Sequence, residues 1–257
     1  MNGRGVRFSG QVSLVTGGSR GIGRAVCLEL ARLGADVAFS YRGREAAARE
    51  TEAEIRALGV KAFRRPADVS DPKAVDDLVA QVLATFGQID VLVHSAGARA
   101  AWKPVRELTV EEWTGYVTVD LHGTFHVIRA VLPHMHTRRR GAIIAISSIA
   151  AQMCQPRNAQ GAVAKAGVEA LIRVLAREEG RHGIRVNAVA VGLTDTEMGR
   201  EALGMWGPET ADRVVRAIPL GRIGRPEEVA RMVVILASED GAYITGKVIQ
   251  VDGGQFI

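Results

Sequence analysis

The chain has 257 residues, 47% of them hydrophobic and 24% charged, a length that supports one large core and one α/β domain. Its two cysteines exclude a disulfide framework, and no run nears the roughly 18–20 apolar residues that span a bilayer. The net charge of +5 rests on 28 Arg and 5 Lys with no basic stripe or aromatic-interleaved patch, so neither a nucleic-acid nor a membrane partner is expected.

In chain order, Met1–Gly10 is polar with two arginines, unlike a signal sequence, and a cytoplasmic protein is expected. Val12–Thr16 reads as a strand, followed by a glycine turn and a helix to Leu33. Asp36–Tyr41 is a second strand, Ala46–Leu58 a helix and Val60–Arg65 a third strand. Ser70-Asp71-Pro72 supplies an N-cap with Pro in the first turn of a helix ending at Phe86. Asp90–His94 is a fourth strand. Thr109-Val110-Glu111-Glu112 is a capping box opening one long helix to Met135. Strand Ala142–Ile146, helix Asn158–Glu179, strand Ile184–Ala190, a helix from Pro226 to Ala237 and strand Val248–Val251 complete the pattern. Repeated βα units with apolar strands predict a parallel sheet covered by helices on both faces, with ligands beyond the carboxyl ends of its strands.

The motifs gather at those carboxyl ends. Thr16-Gly17-Gly18-Ser19-Arg20-Gly21-Ile22-Gly23 joins the first strand to the first helix, where glycines admit a pyrophosphate and the helix N-terminus supplies free N–H groups. The second strand ends in Tyr41-Arg42 rather than in an acidic residue that would bind a ribose 2′-hydroxyl. Arg20 and Arg42 together suit a phosphate dianion, which favours NADP(H) over NAD(H). Two solvated arginines in an arginine-rich chain are the alternative.

Thr16-Gly17-x-x-x-Gly21-x-Gly23, Asp68-Val69, Ser95-Ala96-Gly97, Ser148, Lys165 and Tyr243-Ile244-Thr245-Gly246…Val251-Asp252-Gly253-Gly254 resemble the short-chain dehydrogenase/reductase family, its ketoacyl-reductase-like branch above all. The resemblance covers nearly the whole chain. It implies a single Rossmann-type domain, 1–257, with a doubly wound sheet of about seven strands. It also implies a substrate-binding segment at about 192–220 and a homotetramer or homodimer built on helices near 110–136 and 158–179. By the same resemblance Asp68 and Val69 hold the adenine, Ser95, Ala96 and Gly97 lie along the cofactor, Lys165 holds the nicotinamide ribose, and Thr196 holds the carboxamide or phosphate.

The chain departs from the family at the chemistry. The family's proton-donating Tyr stands four residues before its Lys; here that position is Gly161. Asp120 replaces the family's relay Asn, and Ser95 the first residue of its Asn-Ala-Gly. Hydride addition to a ketone creates an alkoxide about 8–9 pKa units too basic for pH 7, roughly 12 kcal/mol. A positioned acid avoids much of that, and glycine has none. An iminium carbon avoids the problem, because hydride converts it to a neutral amine. The expected activity is therefore NADPH-dependent reduction of an iminium or hemiaminal carbon in a bulky molecule admitted by the missing phenol, in antibiotic biosynthesis or self-resistance. Ser148, Asp120 and Lys165 are the expected catalytic residues. Asp120 either stabilises the cation, helps hydroxide depart, or merely pairs with Lys165; Ser148 either orients substrate or satisfies backbone groups.

Gly161, Gln152 and Cys154 are candidate substrate contacts. Tyr116, one turn before Asp120, is a candidate substitute acid, though packing against a neighbouring helix is the preferred reading, and core packing is preferred for His94. His122 and His126 have i,i+4 spacing without a third ligand, so no metal is expected and a subunit-interface role is preferred. A carbonyl reductase with a substitute acid, a non-redox cyclase or dehydratase, and an NADPH-binding pseudoenzyme remain open alternatives.

Overall fold

The structure, a computed structural model, describes residues 7–256. Residues 1–6 of the polar Met1–Gly10 stretch, and residue 257, therefore lie outside the described residues. Seven strands form one parallel sheet: β1 (Val12–Thr16), β2 (Asp36–Tyr41), β3 (Ala62–Pro66), β4 (Val91–His94), β5 (Gly141–Ser148), β6 (Ile184–Val191) and β7 (Val248–Val251). Their order is β3-β2-β1-β4-β5-β6-β7. The order reverses between β1 and β4, whose register pairs Thr16 with His94. A crevice at the carboxyl ends of such a switch point is where doubly wound sheets bind ligands.

Side-chain alternation divides each strand between two cores. Val15, Phe39 and Val93 pack beneath α1 (Gly21–Arg32) and α10 (Pro226–Ala237), against Val26, Leu30 and Val233. On the other face Leu14, Leu92 and Ile143 meet Leu78 of α3 (Pro72–Phe86), Val131 of α5 (Gly123–Arg138) and Ile172 of α7 (Ala159–Glu179). Asp71 caps α3 by accepting from Lys73 N–H, with Pro72 behind it, as its sequence predicts. The capping box at Thr109 and Glu112 also forms, opening α4 (Val110–Val117).

The expected single helix from Thr109 to Met135 is instead interrupted. A π-helical turn, Thr118–His122, separates α4 from α5. Helical turns of this wider type cluster at functional sites, and this one contains Asp120. Further differences are small: β3 starts two residues later than expected, and β5 runs two residues further, to Ser148. Between β2 and β3 lies α2 (Glu45–Ala57). After β5 a short helix, α6 (Ala150–Met153), precedes α7, and after β6 come α8 (Glu197–Trp206) and α9 (Pro208–Ala217). The last two fall within the segment expected to cover substrate. No helix among the described residues is long and apolar enough to cross a membrane.

Candidate active site

The glycine turn has the shape an approaching pyrophosphate needs. Gly17 adopts φ +70°, and a Cβ there would lie 3.0 Å from the backbone of Ala96. A Cβ on Gly18 would meet Phe39 Cβ at 2.6 Å, and one on Gly23 would collide with the Gly17 carbonyl. Arg20, the N-cap of α1, is extended and makes no side-chain cap bond, so the first N–H groups of the helix are left for an external anion. Ser19 is buried and its carbonyl receives the Thr51 hydroxyl, while Ile22 packs on the core. Thr16 Oγ1 accepts the N–H groups of Ser95 (3.1 Å) and Ala96 (3.2 Å), joining the glycine turn to the loop after β4. Thr196 lies against Gly21 from the far side, its methyl 3.4 Å from where a Cβ would stand. These residues fit a dinucleotide, which they would hold between the two loops.

The charged rim differs from expectation. Arg20 pairs with Glu197 at 2.7 Å, and Arg44 reaches the other oxygen of the same carboxylate at 2.5 Å. Arg99 adds a third guanidinium at 3.4 Å and also holds Glu201. The hydrogen bond from Arg44, and then that from Arg20, holds the Glu197 carboxyl below the usual carboxylate range. Arg42 instead lies 3.7 Å from Asp68, so Arg20 shares its partner with Arg44 and Arg99 rather than with Arg42. The Tyr41 ring is in the core, and its hydroxyl donates to Glu45 and accepts from Arg64. Burial pulls the Asp68 carboxyl up, but bonds from the Ser70 hydroxyl and N–H, with Arg42 beside them, leave it below normal. Val69 packs against Gly123, and its carbonyl accepts from His126 Nδ1 at 3.0 Å, so His126 is engaged within the subunit while His122 is exposed. No group of three or more potential metal ligands occurs among the described residues.

At the reacting end, Asp120 is 1% exposed and pairs with Lys165, Nζ to Oδ1 at 2.7 Å. Its other oxygen accepts Ala98 N–H at 2.6 Å, and Gly97 lies alongside. Lys165 also donates to the Ile146 carbonyl at 3.1 Å, which leaves one of its three donors for a ligand. Tyr116 is at the site rather than in a helix–helix contact alone. Burial first, then the Asp120 charge, then a hydrogen bond to Asp120 push its phenol well above the usual tyrosine range. His94, buried at 1%, bonds Thr16 Oγ1 through Nδ1 at 3.0 Å, and its Nε2 has no partner. Burial, reinforced by Lys165, lowers its pKa to about 3 and keeps the ring neutral.

Ser148 ends β5, where its hydroxyl accepts Ala150 N–H at 3.2 Å and lies 3.4 Å from the Val191 carbonyl. Both backbone roles are thus present. Gln152 is pinned through Nε2 to both oxygens of the buried Glu169, at 2.9 and 2.8 Å. Cys154 is exposed, in the left-handed conformation after α6, its Sγ 3.9 Å from the Ala151 carbonyl.

Gly161 does not leave open space beside it, as a missing phenol alone would suggest. Asn158 lies where a side chain would begin: a Cβ at position 161 would lie 2.5 Å from Asn158 Oδ1, 2.9 Å from Nδ2 and 3.0 Å from Cγ. Sequence reasoning gave no site role to Arg44, Arg99, Glu197 or Asn158, and none to the hydroxyl of Thr16. Only Asn158 carried a signal, as an N-cap residue three before the glycine.

A family described as Enoyl-(Acyl carrier protein) reductase matches residues 17–255. A 3-oxoacyl-(acyl-carrier-protein) reductase FabG from Staphylococcus epidermidis is 39% identical over 245 residues, 95% of this chain and 98% of that protein. An acetoacetyl-CoA reductase from Rhizobium meliloti is 40% identical over 249 residues, 96% and 98% of the two chains. The crystal structure of levodione reductase superposes with a TM-score of 0.94 at 30% identity, covering 97% of this chain and 98% of that one.

Proposed function

Because the chain belongs to the short-chain dehydrogenase/reductase family of oxidoreductases, we propose that it is an NADPH-dependent reductase of carbon already bearing positive charge, an iminium or the hemiaminal that yields one. The observation that carries this reading is the pairing of Gly161 with Asn158: the position the resemblance assigns to a proton-donating phenol has no side chain, and a neutral amide lies where its Cβ would stand. Bound NADPH would supply a hydride. As it adds, the C=N π pair becomes the nitrogen lone pair and the amine is neutral, so no acid is needed in that step. Asp120 and Lys165 are an ion pair, which would set a fixed dipole beside the reacting carbon. Arg20 and Arg44, with Arg42 beyond, provide the charge for a 2′-phosphate and support NADPH over NADH. Cyclic imines and hemiaminals are the substrates to try first, with a place in antibiotic biosynthesis or self-resistance part of the same proposal.

The names of the relatives favour a second reading, reduction of a ketoacyl or other carbonyl group. It needs a proton donor. Of the three tyrosines, Tyr41 is locked in the core and Tyr243 is fully exposed beyond α10. Tyr116 is close, yet its surroundings make it hold its proton more tightly than a free phenol. The two readings separate on deuteride transfer from 4-deuterated NADPH, offered with a bicyclic imine, 3,4-dihydroisoquinoline, or a bicyclic ketone, 2-tetralone. Label in the amine and little in the alcohol supports iminium reduction. Alcohol formed as fast as the amine rejects it, and label in neither product rejects a reductase of either kind. A homotetramer or homodimer belongs to the same reading, supported by exposed Phe125 on α5 and Val163 and Val174 on α7.

A further inference from the structure

We propose that Asn158 orients the substrate, its carboxamide oxygen accepting the N–H of a protonated cyclic imine and, once the neutral amine formed by hydride addition has taken a proton from water, of the resulting ammonium. The inference rests on the iminium reading above and names the residue that selects for it.

Asn158 is 7% exposed, and its Oδ1 has no hydrogen-bond partner. An orphaned buried acceptor is unfavourable and calls for a donor. The chain had one to offer. Asn158 is the N-cap of α7, a position where Asn ordinarily accepts from the N–H two or three residues on. Here it makes no such bond. The side chain is turned instead over Gly161, onto the helix face that carries Lys165 four residues later. A side chain larger than glycine at 161 would drive it out, so Gly161 and Asn158 form one unit: the glycine makes room and the amide uses it. The neighbouring segment has the same bias. Gln152 Oε1 and Gln160 Oε1 are also buried without donors, their Nε2 groups being committed to Glu169 and to the Glu112 carbonyl. Acceptors without donors suit a ligand that brings N–H groups, and suit a ketone oxygen poorly.

The test uses the full-length protein, with tetrahydroisoquinolinium as the product probe. Its affinity for the protein saturated with NADP is measured by calorimetry in wild type and in Asn158→Ala, Asn158→Ser and Asn158→Asp. KM and kcat for 3,4-dihydroisoquinoline are measured beside it. Loss of a hydrogen bond to a charged group predicts affinity weaker by about tenfold to a hundredfold in the Ala and Ser variants. KM should rise accordingly while kcat moves little. Asp keeps the acceptor and adds charge, so it should bind at least as tightly as wild type. Serine caps helices as well as asparagine, so Asn158→Ser should melt with wild type, which separates the substrate role from a helix-capping one. Unchanged ammonium affinity in the Ala and Ser variants, in a protein that reduces the imine, overturns the role of Asn158 alone. A wild type that reduces 2-tetralone and leaves the imine untouched overturns the functional reading beneath it.

Discussion

Asp120 and Lys165 show how a single substitution reorganises a site. The lysine side chain is 11% exposed and the aspartate side chain 1%, so each charge depends on the other for its place in a poorly solvated region. Removing one partner of a buried pair leaves the other uncompensated, which typically costs about 3–5 kcal/mol. Asp120→Ala should therefore lose about that much stability in denaturant unfolding, while Asp120/Lys165→Ala/Met should recover most of it. A double variant as unstable as the single would assign the loss to the Ala98 bond instead. His94 gives a pH dependence at the same scale. Its folded pKa, about 3, lies below the unfolded value of 6.5, so the unfolded chain takes up the proton first. Stability from the neutral ring is complete above pH 6.5 and is lost as pH falls from 6.5 toward 3, at up to about 1.4 kcal/mol per unit. Melting temperatures of wild type and His94→Asn should diverge least below pH 4 and most above 6.5; parallel curves would mean that the fold leaves the histidine pKa at its unfolded value.

Elements bring these residues together, and here the sequence was only partly readable. Strands were legible because buried parallel strands are short apolar runs, and helix starts because Thr109, Glu112, Asp71 and Pro72 are local capping signals. The π-helical turn was not. Its cause is tertiary: Gly123 lies against Val69 with no room for a Cβ, and Asp120 is drawn to Lys165 and Ala98. The ionic clasp on α8 was equally hidden, because Arg20, Arg44 and Arg99 come from three loops and meet only at Glu197. Four of the non-glycine residues with positive φ, Arg44, Trp102, Cys154 and Arg157, sit on loops at this end of the sheet, where strained backbone is often functional. Under the proposed NADPH preference, Glu197 and the 2′-phosphate would compete for the same guanidinium groups. Glu197→Gln should tighten NADPH binding by about two- to fivefold, more at low salt, and leave NADH nearly unchanged. The edge-to-face pair Trp102–Trp206, with ring centroids 5.2 Å apart, joins the far end of α8 to the loop after β4 and offers a fluorescence readout. Equal effects on both cofactors would place Glu197 away from the phosphate.

At the scale of the molecule, the switch point between β1 and β4 could be located from sequence because its glycine turn follows the first strand directly. What fills the vacancy at Gly161 could not, since it depends on how residues 154–158 turn back over α7. That helix has a second consequence. It carries Gly161 and Lys165 toward the site, while Val163 and Val174, three turns apart and so on one face, are each 51% exposed. Phe125 on α5 is 50% exposed. Large apolar side chains left open on long helices suit an isologous contact, in which the same face of a second copy covers them. Such a contact would brace α7 along its outer side and so hold the Lys165–Asp120 geometry. Light scattering on the eluting peak should give the mass of a dimer or tetramer. Phe125→Glu with Val174→Glu should lower that mass and the melting temperature together, the latter becoming concentration-dependent in wild type. A monomer at micromolar concentration, or an assembly untouched by both charges, would place the interface elsewhere and leave α7 braced by the sheet alone.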